Sequence, residues 1–160
     1  MQPLVPLLLL PLMAASPLSV SAQNQQPTDV DLRTAYCIPV VKSQIVLLQQ
    51  ALTPLHAQGD FRFVLPQQAA DEIQKSIANL ESVLKRLQLY FALKLRSVDP
   101  LGLALAEKRG EAAVQTLSET NGRCAVQNGV PQDSPHYNAC MDQDLIARMK
   151  ACETPTWLPF

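Results

Sequence analysis

The feature that most constrains how this chain can fold is a seam of apolar residues between positions 70 and 91. Ala70, Ile73, Ile77, Leu80, Leu84, Leu87 and Phe91 follow one another at spacings of 3, 4, 3, 4, 3 and 4. That rhythm puts them on one side of an α-helix in heptad fashion, a period no strand can present. Pro66 suits the first helical position, where its missing N–H costs nothing. Asp71 precedes Lys75, and Glu81 precedes Lys85, at the favourable acid-first spacing of four; Lys94 and Arg96 near the end suit the helix dipole. A helix with one long apolar side needs other helices or a sheet to cover it. The stretch from Leu87 to Leu95 is apolar nearly all round, so that end should be buried on several sides or covered by a partner.

Three further segments can supply the cover. Thr28 or Asp29 caps a first helix expected to reach about Ala57 and to stop at Gly59. Its apolar face is Ile38, Val41, Ile45, Leu48 and Leu52; Pro39 inside it predicts a kink near Ala35 or a break into two shorter helices. Asp99-Pro100 opens a third helix by cap and first-turn proline, ending at Asn121-Gly122. Gly102, Ala106 and Gly110 stand four apart on one of its ridges. Each interior glycine costs about 1 kcal/mol against alanine, so close approach to a neighbouring helix is expected there. After the turn signals Asn128-Gly129 and Pro131, Ser134-Pro135 opens a fourth helix carrying Tyr137, Met141, Leu145 and Met149, to about Cys152. No run alternates strictly enough for a strand. The expected fold is all-α, an up-down-up-down four-helix bundle.

The 13 basic and 14 acidic side chains all lie after residue 28, which sets the N-terminal part aside. Met1 to Ala22 is uncharged, rich in leucine and interrupted by Pro3, Pro6, Pro11 and Pro17, which disfavours a membrane-spanning helix. It reads as a secretory signal peptide with an apolar core from Leu4 to Leu12 and small residues at Val20-Ser21-Ala22, cleaved before Gln23. No Lys or Arg precedes the core; either the terminal amine alone supplies the positive end or translation starts further upstream. The expected organisation is a signal peptide over 1–22, a helical bundle over 23–154 and an apolar tail over 155–160. The mature protein should be released to the periplasm or the exterior, with no membrane span.

Four cysteines, Cys37, Cys124, Cys140 and Cys152, follow the leader. An even number in an exported chain favours two disulfides. Cys140 and Cys152 lie 12 residues apart on one expected helix, about 18 Å along its axis, too far to be joined. In an up-down bundle Cys152 returns to the end where Cys37 lies, and Cys124 and Cys140 flank the connection at the other. Cys37–Cys152 and Cys124–Cys140 are therefore expected, with one alternative pairing left.

The sequence offers little chemistry. His56 and His136 have no nucleophile motif around them and read as surface or capping residues. His136 and Cys140 are four apart with Cys124 in possible reach, but the paired spacings of a zinc site are missing; no metal or other cofactor is expected. Asp29/Asp31, Asp71/Glu72 and Asp142/Asp144 are too close in sequence to face each other on a helix, and the first two pairs sit where helix starts favour acids. With a net charge of −1 and scattered basic residues, nucleic acid is not an expected partner.

What is left is apolar surface. Leu89, Leu93 and Leu95 near the end of the second helix, and Trp157, Leu158 and Phe160 in the tail, are the candidate contacts for a protein partner, although the favoured reading of the tail is a strap folded onto the bundle near Cys152. The expectation is an exported, non-catalytic protein acting through protein contacts, as an inhibitor, immunity factor, adaptor or envelope-stress component does. The alternative is a carrier of a small apolar ligand held among Leu84, Leu87, Phe91 and Met149. A third reading, an enzyme, would need Asp142 or Asp144 to converge with His136.

Overall fold

The computed structural model describes residues 25–52, 66–128 and 134–159. The expected signal peptide, the end of the first helix at Ala57 and Gly59, the turn around Gly129 and Pro131, His56 and Phe160 lie outside them. Among the described residues the chain is all-α: three long helices, α1 (Asp29–Leu52), α2 (Gln67–Lys94) and α3 (Pro100–Asn128), then two short ones, α4 (Pro135–Cys140) and α5 (Gln143–Lys150).

Thr28, of the two candidates, caps α1. Its hydroxyl accepts from the Asp31 N–H at 3.3 Å, while the Asp31 carboxylate accepts from the Thr28 N–H at 2.8 Å and from its hydroxyl at 2.6 Å. This is a capping box with aspartate in the place of the usual glutamate. Ahead of it, Gln25 is tied beside the α2–α3 connection: its N–H donates to Ser97 O and its carbonyl accepts from Asp99 N, both at 3.0 Å. Asp99 Oδ1 in turn accepts from Leu101 N at 3.2 Å, so the expected cap of the third helix forms.

The central helix is α1, against which both α2 and α3 pack. Ile38, Val41 and Ile45 meet Leu80, Val83 and Leu87 of α2 in the main core, with Leu145, Met149 and Leu158 from the C-terminal part. Ala35 joins Val98, Leu103 and Ala106 in a second, smaller core on the α3 side. Accordingly the stretch 34–41 is buried except at the half-buried Tyr36 and Pro39. The helix runs through Pro39 without ending.

The glycine ridge of α3 makes the expected close approach. A Cβ on Gly110 would lie 2.2 Å from the Tyr36 carbonyl oxygen and 2.8 Å from Pro39 Cγ; one on Gly102 would lie 2.7 Å from Pro27 Cγ. Rising numbers on α3 meet rising numbers on α1, so these two helices are parallel. Asp31 of α1 meets Tyr90 near the end of α2, so α2 runs the other way.

Two helix boundaries correct the sequence reading. First, α3 does not stop at Asn121-Gly122 but continues to Asn128. Tertiary ties hold the extra turns: Asn121 accepts a hydrogen bond from the Tyr137 hydroxyl, and Cys124 is fully buried in a disulfide. Second, the expected single fourth helix breaks at Met141-Asp142, where ψ is 142° and 98°. Ser134 caps the first piece, accepting from Tyr137 N at 3.1 Å, and Asp142 caps the second, accepting from Leu145 N at 2.9 Å. Met141, Leu145 and Met149 are all buried across the break.

The disulfides are Cys37–Cys152, with Cα atoms 5.2 Å apart, and Cys124–Cys140, at 5.9 Å. The pairing is the expected one, although the continuous helix that separated Cys140 from Cys152 in the sequence argument is interrupted. After α5 the tail folds back as a strap, with Pro155 buried, Leu158 in the main core and Trp157 half-buried. Among the described residues no helix is long and apolar enough to cross a membrane.

Candidate functional site

The carboxylates flagged in the sequence act mainly on their own helices. Asp142 caps α5, Asp71 accepts from Gln67 Nε2 at 2.9 Å, and Asp29, Glu72 and Asp144 are exposed. His136 is exposed in the first turn of α4. Among the described residues no group of three or more His, Cys, Asp or Glu is placed to hold a metal ion.

Asp31 is the exception, and its charge is buried. The Tyr90 hydroxyl donates to its second oxygen at 2.9 Å, joining the start of α1 to the end of α2. Burial pushes the Asp31 carboxyl up. The Thr28 hydroxyl and N–H, the Tyr90 hydroxyl and the Lys94 charge together outweigh that and hold it below its ordinary value. Tyr90 is pushed up to about 12, first by burial and then by the hydrogen bond to Asp31 and that residue's negative charge. Lys94 Nζ lies 5.7 Å from the Tyr90 ring centre. The knot satisfies a buried charge and fastens two helices.

The apolar candidates divide. Leu89, Leu93 and Leu95 are 57%, 64% and 44% exposed, and Leu101, in the first turn of α3 beside the α2–α3 connection, is 66% exposed. Leu158, by contrast, is withdrawn from the candidate contacts because it is 6% exposed and belongs to the main core. Trp157 packs partly on that core. Of the residues expected around a ligand cavity, Leu87 and Met149 are buried in the main core, and Leu84 and Phe91 are partly buried against it.

A hollow of about 610 Å³ lies elsewhere, between α1, α3, the end of α5 and the strap. From α1 come Leu32, Arg33, Tyr36 and Cys37; from α3, at spacings of 3, 1 and 3, come Gly102, Leu105, Ala106 and Arg109. The last turn of α5 contributes Arg148, Ala151 follows it, and the strap adds Trp157. The small residues of the α3 ridge leave the space, and the Cys37–Cys152 bond pins α5 and the strap across it. Comparison with known proteins adds nothing: no family model, curated protein or solved structure matches this chain.

Electrostatically the groove is one-sided. Its lining holds Arg33, Arg109 and Arg148 and no acidic side chain. Burial pushes the Tyr36 hydroxyl up, while the neighbouring Arg148 charge pulls it back. Sequence reasoning did not foresee this site. Its arginines are 76 and 39 residues apart along the chain, and only the parallel pairing of α1 with α3 brings them together. One signal was present: between Arg33 and Lys42 the chain carries no charge, too long a gap for a helix with only one buried face.

Proposed function

We propose that this is an exported, non-catalytic protein that acts by binding another protein through the apolar corner where α2 passes into α3. The observation that carries it is the exposure of Leu89, Leu93 and Leu95, joined by Leu101 in the first turn of α3. A cluster of large apolar side chains turned to water marks an interaction surface more often than it occurs by neglect. Two disulfides support an oxidising compartment, and the leucine-rich leader read from the sequence supports export. Asp31, Asp99 and Asp142 are engaged in helix starts, which supports a binding role over a catalytic one.

A photo-reactive amino acid at Leu93, in protein expressed in its native compartment, should give one cross-linked adduct of defined mass. The same probe at Lys75, on an exposed part of α2 away from the corner, should not. L89K should abolish the Leu93 adduct while leaving the thermal melt within about 0.5 kcal/mol of the parent, as exposed substitutions do. Equal labelling from both positions, or an adduct indifferent to L89K, would refute the reading.

A further inference from the structure

We infer that the groove between α1, α3, α5 and the strap is a binding site for a long-chain carboxylate, with its hydrocarbon tail on the apolar floor and its headgroup among Arg33, Arg109 and Arg148. This site is separate from the leucine corner and does not rest on it. At about 610 Å³ the hollow is within the range of small-molecule sites, roughly 300–1,000 Å³. Leu32, Tyr36, Leu105, Ala106 and Trp157 make a floor suited to a methylene chain.

The charge pattern specifies the headgroup. The chain as a whole carries a net charge of −1, yet three of its seven arginines line this one groove. Asp29 and Asp144 stand one turn before Arg33 and Arg148, but no ion pair ties either arginine among the described residues. Arg109 has no ion pair among the described residues either, so within them the three guanidinium groups keep their donors available for a ligand anion, which a planar carboxylate meets in bidentate fashion. A dianionic phosphate suits the site less well. α5 reaches the groove with its C-terminal turn, whose partial negative charge opposes a doubly charged group more than a singly charged one, and the Asp31 N–H in the first turn of α1 is taken by its own cap.

Trp157 is the only tryptophan and lies in the groove, so its fluorescence reports occupancy directly. Oxidised protein should be titrated with dodecanoate, with dodecanol as the neutral match and with a short acidic peptide, all below micelle-forming concentrations. Dodecanoate should shift Trp157 emission to shorter wavelength, saturate at one per protein and bind about tenfold or more tighter than dodecanol, the size expected for a charge-assisted contact. The variant R33Q/R109Q/R148Q should lose that advantage and still bind dodecanol, with an unchanged melt, which separates lost recognition from lost folding. L89K should leave dodecanoate binding intact, so failure here and failure at the leucine corner are told apart. Equal affinity for acid and alcohol, no saturable response, or a tighter response to the acidic peptide would each overturn the assignment.

Discussion

Asp31 and Tyr90 show how one polar pair is kept inside an apolar core. Each is nearly inaccessible, and each makes the other's burial tolerable: the carboxylate has donors from Thr28 and Tyr90, and the phenol has a charged acceptor. Y90F should therefore cost about 1–2 kcal/mol, measured by denaturant titration near neutral pH. The pair also predicts a pH dependence. An unfolded tyrosine loses its proton near pH 10, whereas folded Tyr90 keeps it to about 12, so stability is intact below pH 10 and falls as pH rises through that window. The loss from this group is at most about 3 kcal/mol, and it should be missing from Y90F. Tyr36, also raised by burial, is present in both proteins and cancels in the comparison. Asp31 acts at the other end of the scale. Its lowered value means that its contribution is present above the unfolded value near 3.9 and disappears as pH falls through the folded one. Stability curves that run parallel above pH 10 in parent and Y90F would count against this account.

At the scale of the element, the glycines of α3 divide by what they face. Gly110 lies against the Tyr36 backbone carbonyl, which cannot swing aside as a flexible side chain can. G110A should separate α1 from α3 and cost about 2–4 kcal/mol, in the range of overpacked and disrupted cores. Gly122 has nothing within 4 Å of where its Cβ would be and lies within the helix, so G122A should stabilise by about 1 kcal/mol. Thermal melts of the two variants should move in opposite directions. The break between α4 and α5 rests on another single residue. Asp142 supplies the cap of α5, and D142A should cost about 1 kcal/mol, more than an exposed aspartate elsewhere would.

For the molecule as a whole, the two disulfides have different work. Cys37–Cys152 spans 115 residues and ties α5 and the strap to the central helix; Cys124–Cys140 spans 16 and closes a local connection. On the chain-entropy model the long loop contributes about 4–5 kcal/mol and the short one about 3. C37S/C152S should accordingly lower stability more than C124S/C140S in equilibrium unfolding. Only the former should also remove the Trp157 response to dodecanoate, because it alone releases a wall of the groove. The reverse ranking would show that local strain or residual denatured structure outweighs loop length here.

How much of this was legible beforehand follows from the range of the forces involved. Helix faces and caps are local, so the seam ending at Leu87 and Phe91, the caps at Asp99 and Ser134 and the paired cysteines could be read from spacing and residue type. The boundaries that misled, Gly122 and Met141, are places where long-range ties to Cys140, Tyr137 and the core override local preference. The groove was hidden for the same reason. Arg33, Arg109 and Arg148 belong to three helices, and although a bundle of alternating helices makes α3 parallel to α1, no pattern along the chain states which of their faces meet or that these three side chains share one hollow. Sequence by itself determined an all-helical chain with its cysteines in two pairs, because periodicity and chain reach act between near neighbours. Only tertiary packing decided that α1 is the centre, that Leu158 is core while Leu93 is surface, and that three cations surround one apolar hollow, because those outcomes depend on which faces meet in space.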